Sequence, residues 1–427
     1  MLQFIKDITR PIRHRVMSLV RSARLAMDVQ ICRKNFSKQL VRCRDKIKRG
    51  EKIRVMFLVS ELSKWKTQSL FERMESSDQF EPFVAISCRG FWYEHPEYKS
   101  LLDETIKAFQ SKGLKYEVVA DFNTMQNIPL KKFRPDIVFY EQPYDWKREY
   151  LPITVSRFAL TAYVPYYVPT NEIDPLWYVG EFHRTNFLYI LLNDQIKDAL
   201  DSYLDPKKYA GQTVALGHTF YDLYGEASES PNDGNGLVIY APHWAFDHPR
   251  NVNSQNISTF LWNGREILAY AKAHPEVKWL FKPHPGLRWR LIESGAWTKD
   301  EIEAYYQEWD KIGECYYGDD YVQLFKKSRV MITDCGSFLA EYPPCGGALI
   351  HLRSATEKSV LLRSYAKMYD SFYQVHDLKD LYETLDMVVV RGEDPKHNER
   401  MQAVRDLKLI GNDAAKNIVD YLLNMLS

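Results

Sequence analysis

No window of the 427-residue chain approaches 18 consecutive apolar residues, so the sequence offers no candidate for a membrane-spanning helix. The six cysteines (Cys32, Cys43, Cys88, Cys315, Cys335 and Cys345) make no CxxC pair and no metal-finger spacing. At that density they read as reduced thiols of a cytoplasmic protein, not as a disulfide framework. The opening MLQFIKDITRPIRHR puts charges where a secretory signal needs an uninterrupted apolar run, so none is expected. Carboxylate clusters at metal-ligand spacing are also missing, and neither a metal nor another cofactor is expected. With 45% hydrophobic and 26% charged residues, disorder and collagen-like repeats are excluded. The length suggests two or three domains, and 28 tyrosines favour ring-lined cores and clefts.

Net charge is nearly absent too: 57 Lys and Arg against 56 Asp and Glu leave a formal +1. That average conceals two unlike parts. Residues 1–50 hold 14 basic and 3 acidic side chains, or +11; the other 377 residues hold 43 and 53, or −10. Within this arm Ile5, Ile8, Ile12, Val16, Leu19, Ala23 and Met27 recur at three- and four-residue steps, the stripe of an amphipathic helix. Pro11 marks a start or a kink. Arg10, Arg13, Arg21 and Arg24 surround the stripe. Such a helix lies on an anionic membrane surface, packs on the protein body or pairs with a second copy, which leaves a homo-oligomer open. Nucleic acid is not expected, because no basic surface or binding motif continues past residue 50.

From Ile53 onward short apolar strands alternate with helices: IRVMFLVS (53–60), FEPFVAIS (80–87), LKYEVVA, PDIVFYEQ, FALTAYVP and FLYILL. Alternation of this kind specifies a parallel sheet covered on both faces. The segment 225–236, GEASESPNDGNG, lacks large apolar side chains and reads as a linker. GLVIYAP, VKWLFKP, ECYYG, YVQLFKKS, RVMITD, FLAEY and ALIHL then follow, and the chain ends in a helical stretch. The expected architecture is α/β: a basic helical arm (1–50), a Rossmann-like acceptor lobe (51–224), a linker (225–236) and a Rossmann-like nucleotide-donor lobe with a terminal helix (237–427). Two such lobes make a GT-B-type fold, and ligands gather at the carboxyl ends of the strands, in the cleft between lobes.

Chemistry-bearing residues concentrate in those strand-end loops. In FKPHPGL, Pro283 and Pro285 stiffen the chain around His284, and Lys282 lies two residues before it. Both side chains can donate to phosphate oxygens. In RVMITDCGSFLAEY a strand ends at Asp334, Gly336 permits a turn, and Ser337 stands at a helix start, where it binds an anion, caps the helix or does both. Glu341 falls one turn later, within reach of a ribose hydroxyl or facing solvent. The loop after GLVIYAP offers His243, Trp244, Asp247 and His248, and Gly217 and His218 precede the linker. First-lobe loops supply Glu61, Lys64, Glu141, Tyr144, Asp145, Tyr166, Tyr167 and Glu172, a set suited to a polyol or sugar acceptor.

YAPHW, KPHPGL and ITDCGSFLAEY at these separations resemble the CDP-glycerol glycerophosphotransferases of teichoic-acid and capsule synthesis. The likeness spans residues 50–390 and is strongest over 237–352. It implies transfer of a phosphopolyol from a CDP-linked donor to a lipid-linked or glycan acceptor, at the cytoplasmic face of the plasma membrane. By this resemblance His284 would meet the donor diphosphate, and Asp334 and Ser337 would form the phosphate loop; the residues themselves add Lys282, Gly336, Glu341 and His218 as donor-binding candidates. The Trp-His-Gly motif of well-known members is missing, and the comparable loop reads YVPYYVPT. The acceptor's proton must then pass to another group, Glu61 or Glu172, or to His243 from across the cleft. Two alternatives remain open: a GT-B glycosyltransferase using a UDP-sugar or CMP-Kdo, and a non-catalytic nucleotide-binding scaffold at the membrane.

Overall fold

The run IRVMFLV is apolar at nearly every position because its strand is covered on both faces, and the same holds for each central strand of the protein. The computed structural model describes residues 2–87, 97–121, 126–170, 180–203, 208–225, 236–246, 256–318, 321–354 and 362–427; the side chains of 2–18, 97–101 and 203 lie outside the description. The chain divides into two compact units. Unit 1 comprises residues 1–166, 174–219 and 413–427, and unit 2 comprises 167–173 and 220–412.

Unit 1 begins with α1 (Leu2–Lys48), one helix that Pro11 does not interrupt. Its strands are β1 (Ile53–Val59), β2 (Phe80–Ile86), β3 (Tyr116–Val118), the short antiparallel pair β4 (Ala120–Asp121) and β5 (Gln126–Asn127), β6 (Ile137–Tyr140), β7 (Leu160–Tyr163), β8 (Leu188–Leu191) and β9 (Gln212–Ala215). Seven of them form a parallel sheet in the order β3-β2-β1-β6-β7-β8-β9. The order reverses between β1 and β6, which opens a crevice at their carboxyl ends. Phe57 of β1 stacks on Phe139 of β6 with ring centroids 5.0 Å apart, and Phe71 of α2 (Gln68–Glu75) lies 5.7 Å from Phe57.

One of the placements open to the arm is taken up here, and the terminal helix lies elsewhere than expected. Residues 29–43 of the arm belong to the body: Val29, Cys32, Phe36, Gln39 and Cys43 are buried against unit 1. Lys46 and Arg42 both reach the Asp136 carboxylate, at 2.6 and 3.1 Å. The C-terminal helix (Ala414–Leu426), expected on the second lobe, also packs on unit 1. Its apolar face of Ala415, Ile418, Val419, Leu422 and Leu426 enters the unit 1 core, and Arg73 pairs with Asp413 at its start. The chain passes to unit 2 at Phe220, and residues 226–235 of the expected linker lie outside the described residues.

Unit 2 has a second parallel sheet, built from β10 (Leu237–Ala241), β11 (Trp279–Phe281), β12 (Gly313–Cys315), β13 (Ser328–Thr333), β14 (Ala348–Leu352) and β15 (Tyr373–Val375) in the order β12-β11-β10-β13-β14-β15. The reversal falls between β10 and β13. Many of the aromatics are spent on this core: Phe281 stacks on Trp309 at 5.1 Å and on Tyr240 at 5.6 Å. YVQLFKKS and FLAEY contribute helices, Val322–Lys326 and Gly336–Glu341. Both units are Rossmann-like, as expected of a GT-B-type fold.

Candidate functional site

In unit 2 three chain segments leave the sheet side by side at its reversal. β10 ends at Ala241 and delivers His243, β11 ends at Phe281 and delivers His284, and β13 ends at Thr333 and delivers Asp334. The loops are tied together by backbone bonds, since the His284 N–H donates to the Pro242 carbonyl at 3.0 Å. Each histidine ring is held in the same way. Nδ1 of His243 accepts the Ala245 N–H at 3.1 Å, and Nδ1 of His284 accepts the Gly286 N–H at 3.0 Å. An accepting Nδ1 assigns the ring proton to Nε2. The two rings meet edge to face, 5.0 Å between centroids, with Trp244 6.0 Å from His284. Gly286 permits this closeness: a Cβ there would stand 3.3 Å from Trp244 and 3.4 Å from the His284 Nδ1.

Burial keeps both imidazoles neutral. It lowers the pKa of His243 to about 3 and of His284 to about 4, with the neighbouring His284 and Lys282 charges adding to the respective effects. The pair therefore presents neutral N–H donors at physiological pH.

Asp334 is 2% exposed and its carboxylate turns into the fold. Oδ1 accepts the His243 N–H at 2.5 Å, while Oδ2 accepts the Thr259 N–H at 2.6 Å and its hydroxyl at 2.8 Å. Burial raises its pKa to about 6 against the lowering effect of these bonds. Its observed contacts fix the His243 loop to the start of the helix Phe260–Ala273. Thr259 was not legible as a partner, because the sequence gives no sign that residues 75 apart meet.

The remaining donor-lobe residues separate into two groups. Gly336 and Ser337 open the helix Gly336–Glu341, with Cys335 and not Ser337 at the cap position. Ser337 is exposed, and apart from the adjoining residues and the backbone of its own helix no atom lies within 4 Å of where a Gly336 Cβ would stand. Lys282 and Glu341 turn inward instead. The Lys282 ammonium lies over the rings of Tyr321 (4.9 Å), Tyr316 (5.6 Å) and Phe338 (5.6 Å), and the Tyr321 hydroxyl donates to the Glu341 carboxylate. Asp247, His248 and Glu172 lie outside the described residues.

Unit 1 gathers polar groups at its own reversal. Lys64 donates to Gln142 Oε1 at 2.6 Å, lies 3.6 Å from Glu61, and sits over the Tyr144 and Tyr166 rings at 5.0 and 5.1 Å. Glu141, 3% exposed, accepts the Thr67 hydroxyl on Oε1 at 3.1 Å, and its Oε2 has no hydrogen-bond partner. Burial pushes that carboxyl well above the usual range. His218 belongs to unit 1, buried, with Nε2 2.7 Å from the Pro165 carbonyl and a pKa lowered by burial to about 4. It is thus grouped with the first lobe, not with Lys282, Ser337 and the other donor-lobe residues. No group of metal-ligating side chains occurs among the described residues, and no described helix is long and apolar enough to cross a membrane.

No protein-family model and no curated protein matches the sequence. Solved structures do match its fold. The UDP-GlcNAc 2-epimerase of Neisseria meningitidis, solved bound to UDP-GlcNAc, superposes with a TM-score of 0.54 at 15% identity, covering 87% of this chain and 100% of that one. S. aureus MnaA, solved with UDP, gives 0.53 at 15% identity, covering 88% and 97%. A UDP-N-acetylglucosamine 2-epimerase structure gives 0.51 at 15%, covering 87% and 95%. These neighbours overturn the resemblance to CDP-glycerol glycerophosphotransferases and the transferase type it implied. The chain has the two-lobed α/β fold of GT-B type that these structures share.

Proposed function

We propose that this chain is an enzyme acting on a nucleotide sugar, with a UDP-linked sugar bound at the carboxyl ends of β10, β11 and β13. The observation that carries this reading is the His243–His284 pair: two neutral rings with their protons on Nε2, at the sheet reversal where α/β folds bind ligands. N–H donors aimed at the diphosphate stabilise the charge that grows on it as the sugar bond breaks. Ser337 adds a hydroxyl, and the open space at Gly336 admits a phosphate close to the backbone. Asp334 is a positioning residue that sets His243. Lys282 contributes positive potential from inside its ring cage. The sugar passes to a lipid-linked or glycan acceptor of a cell-surface polysaccharide. The reaction takes place in the cytoplasm, against the inner face of the plasma membrane, which the basic residues 1–50 engage.

A second reading, epimerisation of the nucleotide sugar itself, is favoured by the names of the structural neighbours. Incubation with UDP-GlcNAc separates the two. Transfer releases UDP only when an acceptor is supplied, whereas epimerisation yields a new UDP-sugar with no acceptor. Turnover of neither UDP-sugars nor CMP-Kdo, with nucleotide still bound, would leave the non-catalytic scaffold standing.

A further inference from the structure

Helix α1 carries two apolar stripes, and only one of them is used. At about 100° per residue, the buried positions Val29, Cys32, Phe36, Gln39 and Cys43 share one side of the helix and dock it on unit 1. Leu19, Val20, Met27, Ile31 and Val41 fall roughly half a turn away, and all are exposed, Leu19 by 70% and Met27 by 65%. The helix of 47 residues is about 70 Å long, so this outer stripe runs along a rod and is not confined to one spot.

The cations divide in the same way. Arg42 and Lys46 are committed to Asp136 of the body. Lys34 and Lys38 stand exposed on the outer side among the apolar residues, with Arg24 beside them, its side chain 60% exposed. A second copy would have to bring two segments of +11 together, which like-charge repulsion opposes. An anionic bilayer supplies both things this face requires, an apolar layer for the stripe and headgroup charge for the lysines, whose stems reach up past it.

We propose that the outer face of α1, from Leu19 to Val41, lies in the headgroup layer of an anionic membrane, so that the helix is a rigid plate between bilayer and unit 1 and not a loose tether. This rests on the membrane part of the reading above and adds which face makes the contact and what stands behind it.

The test is sedimentation of the full chain with vesicles of phosphatidylcholine mixed with phosphatidylglycerol, against phosphatidylcholine alone. The wild-type chain pellets with the mixed vesicles only. Combining Leu19→Asp with Met27→Asp lowers that binding by about tenfold or more while leaving the melting temperature unchanged. A charge-reversed chain (Arg24→Glu, Lys34→Glu, Lys38→Glu) also loses binding. Should the charge-reversed chain fail to bind while the aspartate variant binds like wild type, the arm still engages the membrane but the stripe is not the contact, and the inference falls alone. Absence of wild-type binding overturns the membrane reading itself. A lipid-free dimer that the aspartate variant converts to monomer, without vesicle binding, identifies a second copy as the occupant and overturns the proposal.

Discussion

The backbone N–H of His243 donates to Asp334 Oδ1 at 2.5 Å, joining the end of β10 to the end of β13 across the point where the strand order reverses. This carboxylate also accepts two bonds from Thr259, so one buried side chain sets the register of two loops. Asp334→Ala leaves those donors without their acceptor and lowers stability by about 2–4 kcal/mol. Asp334→Asn keeps part of the network and restores part of the melting temperature. In Asp334→Ala UDP affinity falls because His243 is no longer held, and Asp334→Asn, which keeps an acceptor for the His243 N–H, recovers part of it. Unchanged UDP affinity in a folded Asp334→Ala chain would remove its positioning role.

The histidine pair is expected to bind directly. His284→Ala and His243→Ala each weaken UDP by about tenfold, or about 1.4 kcal/mol, with little change in melting temperature. Calorimetric titration measures the affinity and a thermal melt the fold. Equal affinities for wild type and His284→Ala would contradict the proposed donor geometry.

Gly336→Ala separates fold from ligand. Apart from its chain neighbours and the backbone of its own helix, nothing stands within 4 Å of the added methyl, so the melting temperature should not move. A diphosphate resting on the helix start would meet that methyl, and UDP affinity should fall by roughly threefold or more. A variant that binds UDP normally would place the phosphates elsewhere.

Stability should decline as the solution is acidified from pH 6.5 towards 4. Burial lowers the pKa of His183, His243 and His351 to about 3 and of His218 and His284 to about 4. In this window the unfolded chain binds protons that the folded chain does not, so each histidine removes stability by up to about 1.4 kcal/mol per pH unit. Asp334, raised to about 6, and Glu141, raised well above the usual carboxylate range, act in the opposite sense, but they are two groups against five. Melting temperatures measured from pH 7.5 to 5 should fall steadily, and a flat profile would show that the histidines are not held neutral.

Glu141 carries the reverse dependence. Its folded pKa is raised by burial, so its contribution to stability falls as pH rises above the unfolded carboxylate range. Glu141→Gln should melt close to wild type at pH 5 and gain on it at pH 8. A variant that loses ground on raising the pH would mean that the carboxylate is ionised and partnered in the folded chain.

The parts of this fold legible in the sequence are those whose signal is local. IRVMFLV and RVMIT read as doubly covered strands because nearly every side chain is buried, and the prolines around His284 announce a stiff strand-end loop. Periodicity says that a helix buries one face but not against what. The C-terminal helix, expected on the second lobe, therefore packs on the first, and the sequence leaves open which of three partners the arm's helix meets. The direction of a carboxylate is less legible still. Asp334 and Glu341 sit where phosphate and ribose ligands are expected, yet both turn inward to partners 75 and 20 residues away. Motif spacing in unit 2 resembles a transferase family, and the UDP-GlcNAc 2-epimerase neighbours overturn that resemblance, because strand-end His and Ser loops follow from phosphate chemistry on Rossmann-like lobes of many functions.

The central claim is that His243 and His284 hold the diphosphate of a UDP-sugar at the carboxyl end of the unit 2 sheet. Titration of UDP-GlcNAc into the full chain, repeated with the combined His243→Ala and His284→Ala substitutions, tests it most directly. The account predicts saturable binding by the wild-type chain and its loss in the folded double variant. Binding that survives the loss of both histidines would contradict it.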